Sequence, residues 1–169
     1  MFLAHAKLTR DAKVIFVIAD ELVTRAEYVY KLDEPQTFRR DPSKKQGDVR
    51  ISELTAVDVD RLIVDERTEQ TTKLYEIELA GATNIAGTRW DQVATHPSLE
   101  QTELATIEIA PVKKTLRFDT ADQPDIAGKT EGMALLGDGA LALINDDDFG
   151  ISGGSTQIAV VRGTGIERK

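Results

Sequence analysis

Apolar and polar residues alternate along most of the chain with a period of two rather than 3.6, the pattern of half-buried strands. The run Val14-Ile15-Phe16-Val17-Ile18-Ala19 predicts a buried strand, and Ala26–Leu32 alternates with Tyr28 and Tyr30 on one face. Further strands are expected over 50–57, 61–66, 73–79, 106–109, 114–118, 129–136, 140–144 and 156–161. Residues 33–49 hold two prolines, one glycine and eight charges, and read as a polar loop without a packing pattern of its own. Residues 80–103 read as a long insertion carrying one short helix. Asp138-Gly139 between two apolar runs is a hairpin signal. No stretch of ~12 residues has amphipathic helical spacing.

The strands repeat. ISELTAVDVDRLIVDER (51–67) matches KTEGMALLGDGALALINDDD (129–148), with Glu53 on Glu131 and, after one inserted residue, Leu62 on Leu141 and Glu66 on Asn145. TKLYEIEL (72–79) likewise matches STQIAVVR (155–162). A strand, a short turn, a strand, a loop and a strand therefore occur twice. Sets of this kind point to propeller blades, normally ~40–50 residues each, with residues 80–113 inserted in one of them. The plainer alternative is that hairpins resemble one another because they share turn chemistry.

Composition narrows the partners. The 169 residues carry 21 Lys and Arg against 29 Asp and Glu, a net charge of −8. That balance argues against a nucleic-acid binder and against attraction to anionic membranes. Cysteine is absent, which excludes disulfides, zinc–thiolate sites and cysteine nucleophiles. No apolar run approaches the ~18 residues of a membrane-spanning helix. Met1–Lys13 has no apolar core and does not read as a signal peptide.

Several residues are candidates for chemistry. Asn145-Asp146-Asp147-Asp148 follows a predicted strand. Hard cations take about six to eight oxygen ligands, so such a knot suits calcium, while an Asx-rich solvated turn reads equally well. Glu53 and Glu131 begin the first strand of each repeat and read as two carboxylates in a central channel, holding a metal or serving as an acid/base pair, or as two polar strand starts. Arg67 and Lys129 stand beside these acids, as phosphate ligands or as ion-pair partners. Glu131, Asn145 and the three aspartates are expected to meet, because the start of one hairpin strand lies beside the end of the other. His5 and His96 show no ligand spacing and read as surface residues. Ser52 and Ser152 lack a nucleophile elbow. Gly150, Gly153 and Gly154 precede no helix, which argues against a nucleotide loop. Trp90 is expected to pack in the insertion.

In ISEL…RLIVDER, KLYEIELAGATNIAG and KTEGMALLGDGALALINDDDFG the chain resembles the phytase-like (esterase-like activity of phytase) family of bacterial proteins, over roughly residues 26–162. The resemblance implies an all-β, antiparallel, β-propeller-like fold, here partial with about two to three blades, as one domain over 1–169. Complete members are about twice as long, so the chain is expected to be the C-terminal portion of such a protein. The implied activity is phosphate-ester hydrolysis assisted by calcium. Glu131 and Glu53 are then the catalytic candidates, Arg67 and Lys129 would bind substrate, and Glu131, Asn145, Asp146, Asp147 and Asp148 would hold the metal. The competing readings are a non-catalytic binding module and a calcium-dependent esterase or lactonase. The family implies a secreted or periplasmic location. Open sheet edges predict self-association.

Overall fold

The computed structural model describes residues 3–8, 13–20, 23–151 and 153–167, with side chains from residue 24 onward. Among them it is all-β, built of antiparallel sheets, with short 3-10 turns and no α-helix. Among the described residues no helix is long and apolar enough to cross a membrane. The chain divides into two compact units, residues 1–33 with 78–113 and residues 34–77 with 114–169.

The first unit holds a three-stranded sheet of β1 (Leu3–Leu8), β2 (Lys13–Asp20) and β3 (Val23–Lys31). The strand β1 was not expected from the sequence pattern; it pairs with β2 from Leu3↔Ala19 to Leu8↔Val14. His5 lies in β1, and its side chain is outside the described ones. The inserted segment has no strand of its own. The helix expected in 80–103 is replaced by 3-10 turns at Arg89–Asp91 and Leu99–Gln101. The strand expected over 106–109 is also absent, because the chain turns through Leu104–Thr106 instead. Ile109 joins Val29, Ile85 and Leu99 in a small core, with Trp90 and Ile107 against it. Its alternating apolar residues are thus satisfied by packing on β3 rather than by strand pairing. The backbone amides of Ile85 and Val112 donate to the carbonyls of Glu27 and Val29 at 2.8 and 2.9 Å, which fastens the segment to β3.

The second unit carries two sheets. The four-stranded one runs β4 (Arg50–Ala56), β5 (Arg61–Arg67), β6 (Thr72–Glu78) and β7 (Lys113–Asp119), side by side in chain order. The three-stranded one holds β8 (Thr130–Leu135), β9 (Leu141–Asn145) and β10 (Ile158–Val161). Both hairpins of the sequence repeat are present, β4–β5 and β8–β9. The Asp138-Gly139 turn forms as its sequence predicts, with the Leu136 amide donating to Ala140 at 2.8 Å. Gly139 has φ +78°, and a Cβ there would stand 2.6 Å from the Ile166 carbonyl, so both conformation and space require glycine.

The two sheets meet over an apolar core. Ile63 and Leu74 of the first pack with Leu141, Leu143 and Val161 of the second, with Val57 and Ile166 closing the group. Burying such side chains stabilises by roughly 1.5–3 kcal/mol each. The Thr55 hydroxyl donates to the Met133 carbonyl at 3.1 Å, which ties β4 to β8 directly. The polar segment 33–49 is better packed than its composition predicts. Phe38 and Val49 are fully buried, and the Lys73 ammonium lies 4.4 Å from the Phe38 ring centroid. The Asp41 carboxylate accepts from the hydroxyls of Thr68 and Thr71, both at 2.7 Å, and from the Gln70 amide at 2.8 Å, which holds the β5–β6 turn.

Candidate functional site

Each repeated hairpin carries a bulge near the start of its first strand. In β4–β5 the register passes from Ile51↔Glu66 to Glu53↔Asp65, leaving Ser52 as the extra residue. In β8–β9 it passes from Thr130↔Asn145 to Gly132↔Ile144, leaving Glu131 extra. With Glu66 set on Asn145, the counterpart of Glu131 is therefore Ser52 and not Glu53. A bulge re-aims the side chain of its extra residue. Here both re-aimed side chains reach the same group. Arg67 donates from Nε to the Ser52 hydroxyl at 2.6 Å, from Nη1 to the Thr68 carbonyl at 3.2 Å, and from Nη2 to the Glu131 carboxylate. The Arg67 side chain is 2% exposed, whereas that of Glu131 is 45% exposed. A buried cation thus bridges the two sheets and anchors a carboxylate whose other side reaches solvent.

Strand alternation places Ile63, Asp65 and Arg67 on one face of β5, the face turned to the second sheet. Asp65 is fully buried, and among the described residues neither of its carboxylate oxygens has a hydrogen-bond partner. Burial pushes its pKa well above the usual carboxylate range; Arg67 opposes this, and the charges of Glu53, Glu131 and Glu66 add to it. Glu53 is the cross-strand neighbour of Asp65, half-buried, with one oxygen accepting the Leu54 amide at 2.8 Å. On the opposite face, the buried Glu66 carboxylate accepts from the Lys114 ammonium at 2.9 Å.

The second corner is more open. Its hairpin places Thr130 opposite Asn145, as the strand geometry predicts, yet the acids do not gather around one point. Lys129, at φ 52°, ion-pairs with Asp148 and with Glu69, the latter at 3.2 Å. The Lys129 ammonium holds the Asp148 carboxyl below its usual range, helped by a bond within the turn from Asp146. Asp146 accepts the Asp148 amide at 3.0 Å, and Asp147 accepts the Thr156 hydroxyl at 3.0 Å. Asn145 accepts the Gln157 amide at 2.6 Å and donates to the Ser155 carbonyl at 3.3 Å. Phe149 is 98% exposed at the tip.

This arrangement does not fit a calcium ion. Each acid of the Asn145–Asp148 stretch is committed to a lysine, a hydroxyl or a backbone amide, and Glu131 faces Arg67. Among the described residues no group of three or more His, Asp or Glu side chains is gathered as a ligand set. No step of the chemistry below is therefore routed through a metal. Arg67 is tied up from three sides, and Lys129 is shared between two carboxylates. His96 is exposed, and Ser152 lies outside the described residues.

The sequence profile of the family described as "Phytase-like: Esterase-like activity of phytase" matches residues 6–149. The chain belongs to the phytase-like family. No curated protein and no solved structure matches it significantly. Within this phytase-like chain the matched span contains both bulged hairpins and the acidic turn up to Phe149. Family membership supports a function like that of a phosphate-ester hydrolase. Sequence reasoning passed over Ser52 and Asp65 as site residues. The signal for Asp65 was its place in an unbroken alternation, Ile63-Asp65-Arg67, where an acid takes a core position.

Proposed function

We propose that the chain serves a hydrolase of phosphate esters whose working carboxylate is Glu131, at the seam between the β4–β7 and β8–β10 sheets. The observation that carries this reading is the convergence of both bulges on Arg67. Arg67 fixes one side of Glu131 and leaves the rest of the carboxylate open to solvent, as a positioned general base requires. In the reaction, Glu131 takes a proton from water as the water oxygen attacks phosphorus. The bond from phosphorus to the ester oxygen breaks, and its electron pair leaves with that oxygen, which is protonated from solvent. Glu53 supplies a second carboxylate on the neighbouring strand of the first sheet. Lys129 supplies positive charge for the phosphate in competition with Asp148 and Glu69.

In the same reading the two sheets are successive blades of a partial propeller, with β4 and β8 as the inner strands. Their equivalent bulges and the Thr55–Met133 bond support that arrangement. A second reading, hydrolysis of carboxyl esters, is favoured by the state of the cations. Both Arg67 and Lys129 already have carboxylate partners, and a neutral ester needs no free cation.

The test is hydrolysis of p-nitrophenyl phosphate and p-nitrophenyl acetate by the wild type and by Glu131→Gln. Loss of a general base is expected to lower kcat by about 10²–10⁴. Faster turnover of the phosphate supports the first reading, and faster turnover of the acetate supports the second. A wild type inert towards both, or a Glu131→Gln variant as fast as the wild type, sinks the proposal.

A further inference from the structure

The sequence repeat sets β10 where β6 stands in the first sheet, since STQIAVVR (155–162) matches TKLYEIEL (72–79). The two strands differ in what lies beyond them. β6 has β7 on its far side, whereas β10 ends a three-stranded sheet, and among the described residues no strand pairs with its outer edge. The Asn145 amide donates to the Gln157 carbonyl at 3.4 Å, so the N–H and C=O groups of Gln157, Ala159 and Val161 face β9 and those of Ile158 and Val160 face outward. The side chains of Ile158 and Val160 also stand free, at 70% and 51% exposed, on the face away from Leu141, Leu143 and Val161. Natural edges are blunted by charge, proline or a bulge. The other outer strands of this unit are so protected: β7 carries Lys113, Lys114 and Arg117, and β4 and β8 are bulged. Ile158-Ala159-Val160-Val161 has no charge and no proline, and its register with β9 runs unbroken.

We propose that the open edge of β10 is an interaction surface that pairs antiparallel with β10 of a second copy of the chain, joining two three-stranded sheets into one across a two-fold axis. The surface is independent of the hydrolase reading. Its occupant follows from the strand itself: a partner must bring an open edge and an uncharged face, and β10 offers both. The register follows too. Opposite residues of an antiparallel pair share a face, and the residues with outward backbone groups must be the ones that exchange hydrogen bonds. Centring the axis on Ala159 meets both demands. Ile158 then exchanges both hydrogen bonds with Val160 of the second copy, and their side chains form a cross-strand aliphatic pair. Centring it on Ile158 or on Val160 instead sets an outward apolar residue against Thr156 or Arg162. The contact is isologous and closes on itself, so it ends at two chains. Each chain carries a net charge of −8, and long-range repulsion therefore opposes a pairing whose own edge is neutral. A four-residue edge buries less than the ~800 Å² per partner of a standard interface, so the pairing is weak and shifts with concentration.

The test combines sedimentation of the full chain from about 10 μM to about 1 mM with amide hydrogen exchange at both ends of that range. The mass is expected to climb from the 18.6 kDa of one chain towards twice that value. Added salt is expected to tighten the association, because it screens the repulsion. Exchange at Ile158 and Val160 slows as concentration rises, whereas Ala159 and Val161, bonded into β9, are protected throughout. Val160→Lys puts a charge on the edge and is expected to weaken association by about tenfold or more. Val59→Lys, at an exposed valine in the β4–β5 turn, is expected to leave it unchanged. A chain that stays monomeric at about 1 mM overturns the proposal. So does a dimer that persists unweakened in Val160→Lys, or one that forms without slowing exchange at Ile158 and Val160. If Val160→Lys does not fold, the wild-type exchange pattern decides alone.

Discussion

The two bulged hairpins descend from one sequence pattern and end in opposite environments. At the β4–β5 corner, Asp65, Glu66 and Arg67 are all buried, and Arg67 is pinned between Ser52, Thr68 and Glu131. At the β8–β9 corner, the equivalents Ile144, Asn145 and Asp146 lie at or near the surface, and Ile144 is 40% exposed. An apolar residue is exposed where its counterpart acid is buried. The difference comes from coverage: the face of β5 that carries Asp65 is covered by the second sheet, whereas the equivalent face of β9 carries the exposed Ile144. Equivalent positions in a repeat share backbone geometry but not dielectric surroundings, and the surroundings decide what a carboxyl does.

The sharpest way to break the contrast is Arg67→Met. Removing one partner of a buried charged network costs about 3–5 kcal/mol. Here it also strands the Ser52 hydroxyl and leaves Asp65 among acids alone. Urea unfolding is expected to show a loss of about 3 kcal/mol or more, and a loss below about 1 kcal/mol would mean that the corner is solvated.

Asp65→Asn sharpens the same contrast through pH. The folded-state pKa of Asp65 is raised, so its contribution to stability is fully present below the unfolded value of about 3.9 and is lost as pH rises through the folded one. The neutral asparagine carries no such loss. Thermal melts of the two proteins are expected to coincide near about pH 4 and to separate towards about pH 8 in favour of Asp65→Asn. A gap that narrows as pH rises contradicts the burial argument.

Thr55→Val removes the hydroxyl bond between β4 and β8 while keeping the side-chain volume. The expected cost is about 1 kcal/mol in urea, with β8 amides exchanging faster than those of β5.

The smallest effect belongs to the open corner. Asp148 has a lowered pKa, so its contribution is present at neutral pH and is lost as pH falls through its folded-state pKa. Asp148→Asn is expected to lower the melting temperature slightly at neutral pH and not at all in acid. Because the pair with Lys129 is solvent-exposed, molar salt should abolish even that difference. A loss that persists in high salt would place this corner in the same class as the buried one.

Much of the architecture was legible in the residues themselves. Period-two alternation marked most strands from β2 to β10, and Asp138-Gly139 marked its hairpin, because both are local: side-chain direction and turn conformation depend on neighbours in sequence. The repeat was legible for the same reason. The strand expected over 106–109 failed, since alternation reports which residues want burial and not whether a neighbouring strand exists to pair with. The acidic stretch 145–148 was read as a metal-ligand cluster with a solvated turn as the alternative; its carboxylates face a lysine, a hydroxyl and a backbone amide rather than one another.

What the sequence by itself determined, then, is an all-β chain with two copies of one hairpin and carboxylates at the start of each. Only the tertiary structure decided which of those carboxylates meets Arg67. A one-residue bulge moved the counterpart of Glu131 from Glu53 to Ser52, and the stacking of two sheets buried Asp65 beside Arg67. Bulge position and sheet stacking are settled by contacts between residues far apart in the chain, 64 positions in the case of Arg67 and Glu131. Those contacts exist only once both hairpins have formed and their apolar faces have met, because burial, and with it the strength of every charge at the seam, is a property of the packed pair and not of either strand alone.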